Sequence, residues 1–303
     1  MTSSLDSDIG DFCAAILLER GQSENTSLGY GRDLRAFASF LRGRKILTAG
    51  AVARDDIVDF LAAGRDDGLA GTTRRRRTAA IRMFFRYLKE RRRIAADPSA
   101  LMDAPKRELV LPRVLSEEEV GRMIDGTEGD DARSLRDRAM LEVLYGCGLR
   151  VSELCALTLT DFAAGGELLR VLGKGSKERV VPIGRAAGRA LTAYLDHARE
   201  GLAHGDSSER HVFLTRLGRP FTRQGVFKIV RERAAAAGIA ADRVSPHVLR
   251  HCFASHMLAH GADIRAIQEL LGHADVGTTQ VYTHVDAARF GEIHRRFHPR
   301  ATD

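Results

Sequence analysis

The chain has 303 residues, with 47 Lys and Arg against 40 Asp and Glu, which gives a formal net charge of +7. This length exceeds a single core of roughly 100–200 residues, so we expect two domains. Four widely spaced cysteines, Cys13, Cys147, Cys155 and Cys252, exclude a disulfide-stapled secreted scaffold and disfavour a structural zinc site.

The beginning of the chain is acidic where a secretory signal would be basic, and no apolar run approaches the ~20 residues of a membrane helix. We therefore expect a cytoplasmic protein without membrane contact. The excess of positive charge is typical of a protein with a polyanionic partner, although charge alone does not identify that partner.

Residues 1–95 are predicted to form a bundle of about four helices, because apolar residues recur at helical spacing without strand-like alternation. Breaks between these helices are expected at three glycine-containing segments: Gly21–Asn25, Gly43–Ala53 and Gly64–Gly71. Residues 96–112 form the predicted linker. They contain Pro98, Pro105 and Pro112, and proline disfavours helix both at its own position and at the preceding one.

Residues 72–93 carry ten Lys and Arg against one acidic residue, Glu90. Such a run is often only a solvated helix face. Here the basic residues alternate with an apolar stripe on two predicted helical segments, which favours contact with the phosphate backbone of DNA. The candidate DNA-binding residues are Arg74, Arg75, Arg76, Arg77 and, from the second domain, Lys177.

Residues 113–303 are predicted to form a mainly helical domain with one small β-hairpin. The side chain of Ser116 can cap the N-terminus of a first helix, and the side chain of Glu119 can accept a hydrogen bond from the backbone amide of Ser116 in return. Two stretches rich in Val and Leu, Leu168–Leu172 and Arg179–Ile183, flank a glycine-containing turn and predict a hairpin with Lys174 at its tip. Further helices are expected at Ser134–Tyr145, Val151–Leu157, Ala186–Glu200, Thr222–Ala237, Pro246–His260, Ile264–Leu271 and Ala287–Phe297.

Two arginines and a histidine suit the chemistry of a phosphodiester. Phosphoryl transfer needs positive donors around the equatorial oxygens, where charge spreads in the transition state. Arg150 and Arg250 each offer a planar fork that grips two phosphate oxygens, and both are predicted near the start of a helix. His247 lies three residues before Arg250, so one helix end can direct both side chains toward the same phosphate.

The same chemistry requires a nucleophile and an acid. Tyr282 can attack phosphorus if a base accepts its proton, and His247, with an imidazole pKa near ~6.5, is the candidate base. Lys174 on the hairpin loop is suited to protonate the expelled 5′-hydroxyl. A covalent tyrosyl phosphate conserves the energy of the broken bond, so rejoining needs neither a nucleotide nor a metal ion.

Each of these residues taken alone has a simpler explanation, since most tyrosines and histidines serve packing or the surface. His247 and His251 have the spacing of a zinc-binding helix, but no glutamate follows the first histidine. The glycines around Lys174 do not complete a nucleotide-binding GxxxxGK[ST] loop. We therefore expect no cofactor and no metal, and we keep a metallohydrolase only as an alternative.

Five segments of the chain resemble the tyrosine recombinase (phage integrase) family, in particular its Xer type. They are the arginine motif Gly148–Leu154, the lysine loop Gly173–Arg179, the HxLRH box Ser245–His251, the histidine motif Glu269–His273 and the nucleophile segment Thr278–His284. The resemblance implies six catalytic residues: Arg150, Lys174, His247, Arg250, His273 and Tyr282. Two further segments, Asp97–Lys106 and His298–Ala301, resemble the XerD branch more than the XerC branch.

The resemblance also implies an architecture. It predicts a C-shaped clamp, in which a SAM-like helical core-binding domain and an α+β catalytic domain close around DNA. A tetramer would exchange strands through a 3′-phosphotyrosyl intermediate and a Holliday junction. In this family the last helix docks into a neighbouring subunit, and Phe290, Ile293 and Phe297 give the predicted last helix an apolar stripe for that contact.

The implied function is site-specific recombination of DNA, with chromosome dimer resolution at cell division as the expected role. The expected partners are a double-stranded recombination site, a homologous XerC-like recombinase in a heterotetramer or further copies in a homotetramer, and an FtsK-like DNA translocase. An integrase of a mobile element, a type IB topoisomerase-like enzyme and a non-catalytic DNA-binding protein are the alternatives. Cys252 beside His251 is also expected to make the enzyme sensitive to oxidants.

Overall fold

The computed structural model describes residues 4–18, 24–102, 114–163, 167–172, 178–205, 209–272 and 284–302. The chain divides into two compact units, Met1–Val110 and Leu111–Asp303. Each unit has its own core of buried apolar side chains. The predicted fold class, mainly helical with a small β-sheet in the second unit, is confirmed.

The described part of the first unit contains four α-helices, α1 (Leu5–Leu18), α2 (Glu24–Gly43), α3 (Arg54–Asp66) and α4 (Gly71–Glu90), and a short 3-10 helix at Ala49–Ala51. Their apolar faces meet around phenylalanine rings, which pack edge-on or tilted, as between Phe12 and Phe84 with ring centroids 5.7 Å apart. Burial of such stripes, at about 25 cal/mol per Å² of apolar surface, drives the assembly of the bundle. The described part of the predicted linker forms turns, and Met102 packs against this core.

The helices of the second unit surround α6 (Ala132–Gly146), which is buried along most of its length. The predicted capping box is present, since the Ser116 hydroxyl accepts from the Glu119 amide at 3.2 Å and the Glu119 carboxylate accepts from the Ser116 amide at 2.9 Å. The other helices are α5 (Glu117–Asp125), α7 (Val151–Ala156), α8 (Arg185–Tyr194), α9 (Glu200–Leu202), α10 (Arg223–Ala236), α11 (Pro246–Ala259), α12 (Ile264–Leu271) and α13 (His284–Phe297).

The predicted helix Ala186–Glu200 is not a continuous α-helix in the structure. A π-helical turn, Leu195–Arg199, joins α8 to α9 within the segment predicted as a single α-helix. A π-turn adds one residue to the hydrogen-bonded ring, and the hydrophobic period of a short segment does not reveal that insertion. The helix near the C-terminus also begins earlier than predicted, at His284 rather than Ala287.

Among the described residues, the sheet of the second unit has three antiparallel strands in the order β1 (Phe162–Ala163), β2 (Leu168–Leu172) and β3 (Glu178–Pro182). Strands β2 and β3 form the predicted hairpin, with β3 displaced by one residue toward the N-terminus. Strand β1 was not predicted, because two residues are too few to show alternation. The hairpin loop, with Lys174 and Lys177, lies outside the described residues.

Among the described helices, none combines the length and the apolar character that a membrane crossing requires.

Candidate active site of the second unit

A tight turn between α6 and α7 positions Arg150. Gly148 has a φ of +58°, and a Cβ at this position would lie 2.7 Å from the ring of Phe253, so only glycine fits. Arg150 then occupies the residue position immediately before α7, with an extended backbone. The carboxylate of Glu153 accepts from the Arg150 amide at 2.7 Å and from Arg150 Nη1 at 2.8 Å, which fixes both the backbone and the guanidinium.

Helix α11 supplies Arg250 and His247. Ser245 caps this helix by accepting from the Val248 amide at 3.2 Å. The side chain of Arg250 is buried, with Nη1 donating to Gly148 O at 2.5 Å and Nη2 donating to Leu271 O. His247 and His251 are exposed.

Burial lowers the pKa of Arg250 to about 9. The neighbouring charges of Arg150 and Arg179 also lower it, and Glu153 opposes them. The group therefore still carries its charge near neutral pH, and that charge is concentrated in a poorly solvated position.

The C-terminal end of α12 brings the two predicted arginines together. Gly272 ends the helix in the left-handed conformation, with a φ of +65°. The last carbonyls of a helix have no partner within it and carry partial negative charge, which attracts cations. Three consecutive carbonyls at this end each accept from a different arginine: Leu270 O from Arg179 Nε at 3.1 Å, Leu271 O from Arg250 Nη2, and Gly272 O from Arg150 Nη2 at 3.3 Å.

The same three guanidinium groups surround the buried carboxylate of Glu153. Arg179 bonds both oxygens, at 2.7 and 2.9 Å, while Arg150 lies at 2.8 Å and Arg250 at 3.7 Å. Burial opposes ionisation of Glu153, but the hydrogen bonds and charge of Arg179, aided by Arg150, outweigh it and lower the pKa of this carboxyl. Three arginines and one ionised glutamate give the cluster a net charge of +2. The side chain of Arg150 is 35% exposed, so this charge is accessible from solvent. Such a site suits a phosphate diester.

The structure therefore brings Arg150 and Arg250 together and places His247 on the same helix as Arg250. Lys174, His273 and Tyr282 lie outside the described residues, so their catalytic roles remain predictions. Among the described residues, no group of three or more His, Cys, Asp or Glu side chains is arranged to hold a metal ion.

Sequence reasoning missed two residues of this cluster, Glu153 and Arg179. Glu153 follows Arg150 by three positions, which is the spacing of an ordinary helix cap and gave no functional signal. Arg179 is 26 positions further along the chain from Glu153, and nothing in the sequence connects the two. Only the tertiary fold brings Arg179 of β3 next to Glu153 of α7.

Three of the four predicted DNA-binding arginines of α4 contact other groups of the first unit. Arg76 bonds the buried carboxylate of Asp33 at 2.7 and 3.2 Å. Arg77 lies 3.6 Å from the same carboxylate and covers the ring of Phe60. Arg74 donates to a backbone carbonyl at 2.9 Å. These three arginines make contacts within the first unit, and their role as DNA contacts remains a prediction.

A different set of α4 side chains forms a continuous basic stripe. At roughly 100° per residue, positions 75, 82, 86 and 89 fall within about 60° of one another, on the side opposite Phe84. Their side chains are partly or fully exposed, whereas Phe84 is fully buried. We define the basic stripe as Arg75, Arg82, Arg86 and Lys89.

The apolar residues of α13 pack within the second unit. Phe290 is buried in its core, and Ile293 and Phe297 pack against that core. His294 donates from Nε2 to Gly146 O at 2.7 Å. Docking of this helix into a neighbouring subunit remains a prediction.

The expectation of oxidant sensitivity at Cys252 is wrong. Burial raises the pKa of the Cys252 thiol to about 11. The thiol also donates to Leu115 O at 3.8 Å. A buried protonated thiol is a poor nucleophile, so Cys252 acts as a small packing residue.

Comparison with known proteins agrees with this site. Residues 113–289 match the model of the phage integrase family, and residues 9–92 match that of the phage integrase N-terminal SAM-like domain. The chain belongs to the phage integrase family, and the predicted enzyme class, a DNA breaking and rejoining tyrosine recombinase that acts in site-specific recombination, is confirmed.

Its relatives agree with the predicted Xer type, nearer to XerD than to XerC. It is 41% identical over 294 residues to the tyrosine recombinase XerD of Listeria monocytogenes serotype 4b, covering 97% of this chain and 99% of the relative. It is 44% identical over 292 residues to XerD of Proteus mirabilis, covering 96% and 93% of the two chains. The fold resembles that of the Tn1549 transposon integrase in complex with a circular intermediate DNA, with a TM-score of 0.71, 18% identity, and 96% and 99% of the chains covered.

Proposed function

We propose that this chain resolves chromosome dimers at cell division, by cutting and rejoining DNA at a specific site through a phosphotyrosyl intermediate on Tyr282. The observation that carries the proposal is the convergence of Arg150 and Arg250 on the end of α12, one residue before His273. The similarity to XerD proteins over nearly the whole chain supports the chromosomal role.

In the proposed reaction, the phenolic oxygen of Tyr282 attacks the scissile phosphorus while His247 accepts the phenolic proton. The bond from phosphorus to the 5′ oxygen breaks, and Lys174 protonates that oxygen as it leaves. The 3′ end of the strand is then esterified to Tyr282. A 5′-hydroxyl of another strand reverses these steps, which rejoins DNA in the recombined arrangement without an external energy source.

Arg150, Arg250 and His273 are proposed to stabilise the pentavalent transition state. A guanidinium has five N–H donors in a planar fork. Within the described part of the chain, the contacts of Arg150 use one hydrogen of Nη1 and one of Nη2, toward Glu153 and Gly272. Donors held in this way need no reorientation when charge develops on the phosphate, which is the main source of such stabilisation.

The proposed partners follow from the same family. The chain would act in the cytoplasm on a double-stranded recombination site, in a heterotetramer with an XerC-like recombinase or in a homotetramer, under control of an FtsK-like translocase. The basic stripe of α4 is proposed to contact the DNA backbone, which would position the duplex rather than read its sequence. Of the predicted docking stripe, Ile293 and Phe297 are partly exposed and are proposed to mediate docking between subunits, whereas Phe290 is buried in the core of its own unit.

A nicked duplex tests the proposal, because a short strand released by diffusion traps the covalent complex. With the recombination site and the partner recombinase, the wild type is expected to form a protein–DNA adduct that protease removes. The Tyr282→Phe variant should form none and keep its DNA affinity within about threefold. Tyr87→Phe, which changes a tyrosine of the first unit, is the matched control and should react normally.

An adduct that persists in the Tyr282→Phe variant would contradict the proposed nucleophile. Loss of wild-type cleavage in excess EDTA would instead favour a metallohydrolase. Cleavage and relaxation of a single duplex with no recombinant product, even with the partner present, would favour the topoisomerase-like alternative.

A further inference from the structure

We propose that Arg179 is a positioning residue for the phosphate site, which acts by neutralising Glu153 so that Arg150 and Arg250 stay free to bind phosphate. The inference rests on the proposed function, since it concerns the same site. Arg179 would not touch DNA.

The contacts of Arg179 point into the protein. Its side chain is 5% exposed, and that of Glu153 is 3% exposed. All three guanidinium nitrogens have protein acceptors: Nη1 and Nη2 bond the two oxygens of Glu153 at 2.7 and 2.9 Å, and Nε bonds Leu270 O at 3.1 Å. A planar bidentate pair of this kind is the geometry that only arginine provides.

The charge balance explains why the site needs a third arginine. Glu153 fixes the backbone and side chain of Arg150 through two short hydrogen bonds. An unpaired buried carboxylate would also attract Arg250, whose Nη1 lies 3.7 Å from Oε2 of Glu153. Arg150 and Arg250 would then bind the carboxylate of Glu153 in place of the phosphate. Because Arg179 occupies both oxygens, Glu153 can orient Arg150 without cancelling the charge that phosphate requires.

Arg179 also fixes the end of α12 relative to the sheet. It belongs to β3 and reaches Leu270 O, while Gly272 leaves room for it: a Cβ on that glycine would lie 2.9 Å from Cδ of Arg179. The next two carbonyls of α12 are those bonded by Arg250 and Arg150. One side chain therefore sets both the charge of Glu153 and the position of the carbonyls that hold the catalytic pair.

The experiment measures two quantities for each variant on the nicked duplex: the single-turnover rate of adduct formation at saturating DNA, and the dissociation constant for the duplex. Arg179→Met is expected to lower the rate about 10- to 100-fold, somewhat less than the loss of a direct oxyanion donor. The dissociation constant should change less than about threefold, because backbone contacts dominate affinity. Adding Glu153→Gln to Arg179→Met should recover most of the rate, since the amide removes the uncompensated charge and its oxygen can still accept from the Arg150 amide.

The matched control is Arg233→Met, which removes an arginine that donates from Nε and Nη2 to one oxygen of another buried carboxylate, Oδ2 of Asp137, at 3.2 and 2.7 Å. It should lower thermal stability and leave the rate at saturating DNA unchanged. Arg179→Lys keeps the charge and loses the bidentate geometry, so it is expected to lower the rate about 3- to 10-fold. This variant replaces Arg179→Met in the test if Arg179→Met does not fold.

The inference is overturned if folded Arg179→Met or Arg179→Lys cleaves at the wild-type rate. It is also overturned if Glu153→Gln gives no recovery, because Arg179 would then serve stability alone, as Arg233 does. Failure of the wild type to form an adduct at Tyr282 would instead refute the proposed function.

Discussion

His294 should make the second unit unstable in acid. Its ring is buried, stacks on His298 with centroids 4.7 Å apart, and donates to Gly146 O. Burial lowers the pKa of His294 to about 4, although the bond to Gly146 partly opposes the shift. The folded protein therefore holds the neutral ring, whereas the unfolded chain binds a proton near pH 6.5. Stability from this group is complete above pH 6.5 and is lost as pH falls toward 4.

The magnitude follows from the two pKa values. A fall from 6.5 to about 4 corresponds to about 3 kcal/mol when the loss is complete, and to about 2 kcal/mol between pH 8 and pH 5. His298, fully buried with its pKa also lowered by burial and by the charge of His294, adds to the loss in the same direction. Urea denaturation followed by circular dichroism between pH 5 and 8 measures the total.

The His294→Gln variant isolates the contribution of His294. Glutamine can still donate to Gly146 O but does not titrate. Between pH 8 and pH 5 the variant should lose about 2 kcal/mol less of its unfolding free energy than the wild type does. Carboxylates and His298 titrate in both proteins and cancel in this difference. Equal losses in the two proteins would show that His294 does not hold a buried neutral ring, and would refute the reasoning.

Three further predictions follow from the described contacts. Gly148→Ala should lower the unfolding free energy by about 3 kcal/mol or more, measured by thermal denaturation, because its Cβ would meet Phe253 and a positive φ strains alanine. Asp33→Asn should cost about 2 kcal/mol in urea denaturation, since it breaks a buried ion pair whose arginine partners are partly exposed; no change would contradict the structural role given to those arginines. The double variant Arg82→Gln with Arg86→Gln should keep its unfolding free energy within about 0.5 kcal/mol of the wild type and bind the duplex more weakly. The slope of log affinity against log salt concentration should fall in magnitude by about 2, and an unchanged slope would show that these residues do not contact DNA phosphates.

The helices were largely predictable because their signals are local. Hydrophobic periodicity and the cap at Ser116 lie within a few residues of the elements they define. The sequence also indicated Arg150 and Arg250 as a phosphate-binding pair, and the structure places both at the end of α12. The π-turn at Leu195–Arg199 and the short strand β1 were missed, because each is smaller than the window over which a period can be recognised.

The basic segment of α4 shows where charge alone misleads. Consecutive arginines point in different directions around a helix, so Arg76 and Arg77 reach Asp33 while Arg75 lies on the opposite side from the core. Their partner, Asp33, is on α2, more than 40 positions earlier. A charge run in the sequence therefore located the basic helix but did not show which of its arginines form ion pairs within the first unit.

The amino-acid sequence alone determined the helical character of both units, the hairpin, and the residue types able to cleave a phosphodiester, because each depends on short-range spacing or on intrinsic side-chain chemistry. The tertiary structure alone decided that Arg179 and Glu153 lie together with Arg150 and Arg250, and that Phe290 and His294 are buried within the second unit. Such contacts join residues far apart in the chain. Their formation depends on how whole elements pack, which no local pattern encodes.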